Sequence, residues 1–205
     1  RSHMNTDALV RIVVLVAVVG GGLYFFNMDS EPTGPDPQDA YLGRVLDITV
    51  DTIVKADEEI KALPAEKRTG DAPLFHLADM LEEAYNSATP SLDPEHIGVS
   101  PQEDAALLAY TDANANNERD LGDSPLFLIE VDGQNSRVIA TNAKGVVHDR
   151  GFSGSGMLTG FLIGNMLNRQ SSAGATSKVS QKRTFSATQA RARSRAGSGS
   201  HSRGK

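Results

Sequence analysis

The densest set of side chains able to do chemistry lies between residues 112 and 123. Asp112, Asn114, Asn116, Asp120 and Asp123 occupy positions 1, 3, 5, 9 and 12 of that twelve-residue stretch. All are oxygen donors, and oxygen is the ligand that a hard cation such as Ca²⁺ takes. Oxygens at i, i+2 and i+4 converge when a loop curls, and Glu118 at position 7 is placed to offer its backbone carbonyl. Asn117, at position 6, tolerates the left-handed backbone that such a curl needs. The expectation is a structural Ca²⁺ held by Asp112, Asn114, Asn116, Glu118, Asp120 and Asp123, since nothing nearby supplies a nucleophile or base. The plainer alternative is an Asn/Asp-rich turn joining a helix to a strand, which favours the same residues.

The run Asp112-x-Asn114-x-Asn116, followed by Asp120 and Asp123, resembles EF-hand-like calcium loops. It is most similar to those of dockerins and of the B-type repeats of bacterial surface adhesins. The resemblance covers these twelve residues and implies an ion that stiffens an extracytoplasmic module. Asn117 stands where such loops carry Gly, and Asp123 where they carry a bidentate Glu, so weaker binding is implied.

Other chemical signals are poor. His76, His96 and His148 are scattered singles, and Glu58-Glu59 and Glu82-Glu83 read as solvated helix faces. Residues 151–156 (Gly-Phe-Ser-Gly-Ser-Gly) lack the lysine of a phosphate-binding loop. Ser153 lacks the flanking pattern of a strained nucleophile turn. The expectation is a protein that is not an enzyme, with no catalytic residue and no small-molecule substrate. With no cysteine, disulfides and thiolate metal sites are excluded.

The elements that would position the loop follow from periodicity. Asp36, Pro37 and Asp39 read as cap, first helical residue and first-turn acid. A helix is expected from there to Leu63, with Leu42, Leu46, Val50, Ile53, Ile60 and Leu63 as its apolar stripe. Leu74, Leu77, Ala78, Leu81, Ala84, Tyr85 and Ala88 mark a second helix. Ser100-Pro-Gln-Glu103 has the form of a capping box, opening a third through Ala106, Leu107 and Tyr110. The period then changes: 126–131 and 137–141 read as strands about a turn at Asp132-Gly-Gln-Asn135, and 146–148 as a third. The expected fold class is α+β: about three helices, then a three-stranded antiparallel meander, forming an acidic domain over 38–150.

Two apolar segments border that domain. Residues 1–3 read as a cloning remnant before Met4. Residues 4–27 then contain an apolar run (8–26) long enough for a bilayer core of about 20 residues, with Arg11 near its start. It reads as an N-terminal transmembrane anchor, with a cleaved signal peptide as rival, and 28–37 as a linker. In 151–168, Gly156, Gly160 and Gly164 recur every fourth residue, which on a helix makes a smooth stripe for close packing. A short or re-entrant span is expected there, against a Gly-rich loop or a buried soluble helix. Residues 169–205, with few large apolar side chains, read as a disordered basic tail.

Charge ties these parts together. Residues 28–150 hold 25 Asp or Glu against nine Lys or Arg, a net of −16, whereas 151–205 hold nine Lys or Arg and no acid. Such sorting suggests a bacterial inner membrane, with the acidic domain outside the cytoplasm and the N-terminus and tail within it. The functional expectation is an envelope scaffold; the alternative is a glycine-zipper oligomer that acts on or perforates membranes. Expected partners are membrane lipid and either a second copy or an envelope protein, with nucleic acid disfavoured for want of stacking aromatics. If the stripe at 156–164 does not cross, the tail shares a compartment with the domain, which then becomes its natural partner.

Overall fold

The structure is a computed structural model, and it describes residues 37–152 and 160–184. Helix α1 (Pro37–Ala62) ends one residue short of Leu63. Pro64 cannot continue the backbone ladder there. A 3-10 turn (Ala65–Arg68) leads to α2 (Ala72–Asn86). Leu42, Leu46, Ile53 and Ile60 of α1 and Leu74, Leu77, Leu81 and Tyr85 of α2 are all buried, as amphipathic spacing requires. Five strands follow: β1 (Ile97–Pro101), β2 (Leu107–Thr111), β3 (Pro125–Asp132), β4 (Arg137–Asn142) and β5 (Val147–Gly151). They form one antiparallel sheet in sequence order, and α3 (Phe161–Ser172) and α4 (Thr176–Ser180) complete the described chain.

The sheet corrects the expected fold class, because the helix expected to open at Ser100 is a hairpin instead and five strands replace three. Residues 97–111 are a hairpin, with Ile97 opposite Thr111 and Pro101 opposite Leu107. The capping-box signal fell on a turn: the Gln102 N–H donates to the Ala106 carbonyl, Asp104 accepts from the Ala106 N–H, and Ala105 is left-handed at φ 63°. Pro101 sits at the end of an edge strand, where a missing donor costs little. Alternate side chains decide the outcome: Ile97, Leu107 and Ala109 enter the core shared with α1 and α2, so sheet packing overrides the helix propensity of the Ala-Leu run.

The sheet has two unlike faces. Phe127, Ile129 and Val131 of β3 and Val138 and Ala140 of β4 face the helical layer. By strand alternation, Leu128, Glu130, Asp132, Arg137, Ile139 and Asp149 face the other way.

Helix α3 corrects the glycine-zipper expectation. Gly160 lies before the helix in extended conformation, and a Cβ there would come within 3.0 Å of the Asp57 carboxylate. Gly164 lies on an exposed face with nothing within 4 Å of such an atom, and Gly156 lies outside the described residues. The helix has a mixed surface, burying Leu162, Ile163, Met166 and Gln170. Residues 169–184, expected to be disordered, are folded as the end of α3, α4 and a short extension.

The expected placement across an inner membrane is corrected as well. Among the described residues no helix is long and apolar enough to cross a membrane. Helices α3 and α4 also pack on the acidic domain itself, so the start of the basic tail lies on the same side as that domain. The apolar run at 8–26 lies outside the described residues.

One bond latches the C-terminal helices to α1. No side chain of α3 caps its own first turn, so those N–H groups need partners from elsewhere. Asp57, near the end of α1, accepts the Leu162 N–H at 2.9 Å and pairs with Lys61 at 2.5 Å. An anion at a helix start is favoured by the helix dipole as well as by the hydrogen bond. Asp57→Ala is expected to cost about 0.5–2 kcal/mol, the range for loss of a cap. Hydrogen exchange should quicken in α3 and leave β3–β4 protected; unchanged α3 amides would rule this out.

Candidate functional site

The 112–123 loop curls as its spacing requires. Asp112 follows β2 and is fully buried. Its Oδ1 accepts the Asn116 N–H at 3.2 Å and its Oδ2 the Asn117 N–H at 2.8 Å. Asn114 Oδ1 accepts the Asn116 N–H at 3.3 Å, and Asn116 Oδ1 the Glu118 N–H at 2.8 Å. The Asn114 and Asn116 amides both donate to Asp120 Oδ2, at 2.9 and 3.1 Å. Asp123 Oδ2 accepts the Asp120 N–H at 2.6 Å. Ala115 and Asn117 are left-handed, at φ 50° and 59°, so position 6 takes the conformation expected of it.

The structure thus gathers Asp112, Asn114, Asn116 and Asp120, while Asp123 closes the end of the loop and Glu118 contributes its N–H. The calcium-binding expectation is nevertheless corrected. Among the described residues no group of three or more His, Cys, Asp or Glu side chains is placed to hold a metal ion. The physical reason lies in the bonds just given: the oxygens cap backbone N–H groups and Asn amides, as short polar side chains do in turns. As described, the loop is a hydrogen-bonded clasp between β2 and β3. Thr111 and Ser124 hold its base, with the Thr111 N–H donating to the Ser124 carbonyl at 2.9 Å.

The clasp leaves a negative field on its neighbours. Burial, then the charges of Asp112, Glu82, Asp123 and Asp120, pushes the Tyr110 phenol up. Burial also raises the Glu82 carboxyl, against the opposing Val99 backbone bond and His96. His96 places Nδ1 3.9 Å from Asp112 Oδ2. The histidines stay apart: His76 pairs with Glu59 at 3.1 Å and His148 with Asp39 at 3.0 Å.

A second constellation escaped the sequence reading. On the face of the sheet away from α1 and α2, Glu130 and Asp132 are 3% and 1% exposed. Asp132 accepts from the Gln134 and Asn135 N–H groups, the Asn135 amide and the Arg137 guanidinium. Arg137 also reaches Asp149 at 3.4 Å. Residues after α4 lie across this row: Lys182 pairs with Glu130, Thr184 bonds to Asp149, and the Lys182 carbonyl accepts from Arg137 at 2.6 Å. Val179 seals one end against Ile139 and Val147. Glu130 and Asp132 alternate along β3 and so share one sheet face, but such a pattern reads as a solvated side, and only the fold brings Lys182 and Arg137 to them.

A cleft of about 430 Å³ is bordered by Tyr41, Asp93, Leu126 and Asn142, and holds neither a histidine nor a serine. Comparison with protein-family models, with curated proteins and with solved structures gives no match for this chain.

Proposed function

We propose that the folded part of this chain is a non-catalytic scaffolding domain that recruits a cationic protein partner through its acidic surface. The observation that carries this reading is how the carboxylates are divided. The four buried among the described residues, Asp57, Asp112, Glu130 and Asp132, each serve a structural bond. Others, such as Asp51, Glu58, Glu83 and Glu103, face solvent, in a segment with a net charge of −16. A surplus of one sign on a rigid frame steers and holds partners of the other sign.

The test is titration of the full chain with a lysine- and arginine-rich peptide at low and high salt. Binding is expected at 50 mM salt and should fall by roughly tenfold or more near 300 mM, as screening of exposed charges demands. No binding at 50 mM salt would overturn the reading.

A further inference from the structure

The carboxylate row on the open sheet face is already occupied, and by a segment of suitable chemistry. Residues 176–184 read Thr-Ser-Lys-Val-Ser-Gln-Lys-Arg-Thr, basic and without acid. Their contacts are of three kinds. One is an ammonium on a buried carboxylate, Lys182 on Glu130. Another is a set of backbone bonds: the Ser180 carbonyl accepts from Asn135 at 3.2 Å and the Lys182 carbonyl from Arg137 at 2.6 Å. The third is a single apolar anchor, Val179, 2% exposed. One turn of helix carries the apolar anchor and the Ser180 carbonyl, and the residues just after it carry the charge, so a short linear segment supplies every contact.

The cover is built lightly. Helix α4 is five residues long, too short to stand alone, and Gly174 before it is left-handed at φ 70°. Beneath it lie Glu130 and Asp149, with Arg137 held between Asp132 and Asp149. Removing the segment would leave Glu130 without its cation, and a buried unpaired carboxylate is costly. The slot therefore calls for a cation whenever the segment leaves.

We infer that this row is a recognition slot for a short lysine-bearing segment of a partner protein, and that residues 176–184 are a strap holding it closed in cis. This rests on the scaffold reading and gives it a place: lysine on Glu130, a neighbouring hydroxyl or base on Asp149, a small apolar side chain on Ile139 and Val147. Strap and partner compete, so apparent affinity is lowered by the fraction of molecules in which the slot is open. A strap closed in 99 of 100 molecules weakens binding about 100-fold.

The probe is a fluorescent nonapeptide with the sequence of residues 176–184, added to the full chain. A V179D/K182E chain removes the anchor and sets an acid against Glu130, so its strap is released. It should bind the probe at least about tenfold more tightly than the unaltered chain, and adding E130Q should cancel the gain. Equal binding by the unaltered and released chains, or none by a released chain that melts cooperatively, overturns the proposal. Should V179D/K182E fail to melt cooperatively, K182M serves in its place. Failure here, with salt-dependent binding of the arginine-rich peptide intact, removes the slot and leaves the scaffold reading standing. Failure of both removes the scaffold as well.

Discussion

Replacing Phe127 by alanine is expected to lower the free energy of unfolding by about 3–5 kcal/mol, the cost of emptying a large aromatic site in a close-packed core. Phe127 is 1% exposed and lies on the central strand β3. Its ring meets Tyr85 edge-on at 5.3 Å and Tyr41 at 6.1 Å, so one side chain ties α2 and α1 to the sheet. Such pairs add about 0.5–1.5 kcal/mol beyond area burial. The site has little freedom to collapse, because the Tyr85 hydroxyl is held by Thr49 at 2.7 Å. A domain of this size has about 5–15 kcal/mol in total, so F127A should leave little margin. Urea unfolding followed by tyrosine fluorescence measures it, there being four Tyr and no Trp. A loss below 1 kcal/mol would contradict the packing described.

Asp132→Ala is expected to be about as severe, at about 3–5 kcal/mol, through a different cause. Removing one partner of a buried ion pair leaves the other charge uncompensated. Arg137, 14% exposed, would keep only the Asp149 contact at 3.4 Å and the Lys182 carbonyl. The turn at 133–136 would lose its bonds to Asp132 as well. Burial pushes the Asp132 carboxyl up, but the Asn135 bond and the Arg137 guanidinium outweigh it and hold the group below its ordinary 3.8.

The direction of that shift sets a pH window. A carboxyl with a folded value below the unfolded one contributes stability that is complete above the unfolded value. That contribution is lost as pH falls through the folded value. Melting of the unaltered chain should therefore fall below pH 4. D132N, which keeps shape and loses charge, should show a shallower fall over the same range. Parallel curves for the two chains would show that Asp132 is not the group responsible.

Some of this was legible beforehand because it rests on local patterns. The stripes Leu42–Ile60 and Leu74–Tyr85 repeat at helical spacing, and the Asp132–Asn135 turn lies between alternating strands. The hairpin at 97–111 was not legible, because Ser100-Pro-Gln-Glu103 satisfies a helix start and a strand end alike. Only the shared core with α1 and α2 separates the two. The clasp was legible in its curvature, down to the left-handed Asn117, yet not in the use of its oxygens. Which donor reaches Asp112 or Asp120 depends on a fold of a dozen residues, not on their spacing. The strap was hidden for a different reason. Its one buried apolar side chain is Val179, and its partners Glu130 and Asp149 lie 52 and 35 residues earlier.

The Asp57 latch also bears on the order in which the chain is made. Among the described elements α1 leaves the ribosome before its partners, some of which arrive much later: Leu162 follows Asp57 by 105 residues, and His148 follows Asp39 by 109. Only α2 is near enough in sequence to cover part of the α1 stripe early. Until β4 and β5 emerge, the nascent chain carries an open apolar groove along α1. Contacts of such long range form slowly, and exposed apolar surface invites association meanwhile. The acidic outer face of α1, with Asp47, Asp51, Glu58 and Glu59 exposed, surrounds that groove with like charge. Asp51 and Glu58, part of the surface proposed to recruit a partner, would then also help keep unfinished copies of the chain apart during synthesis.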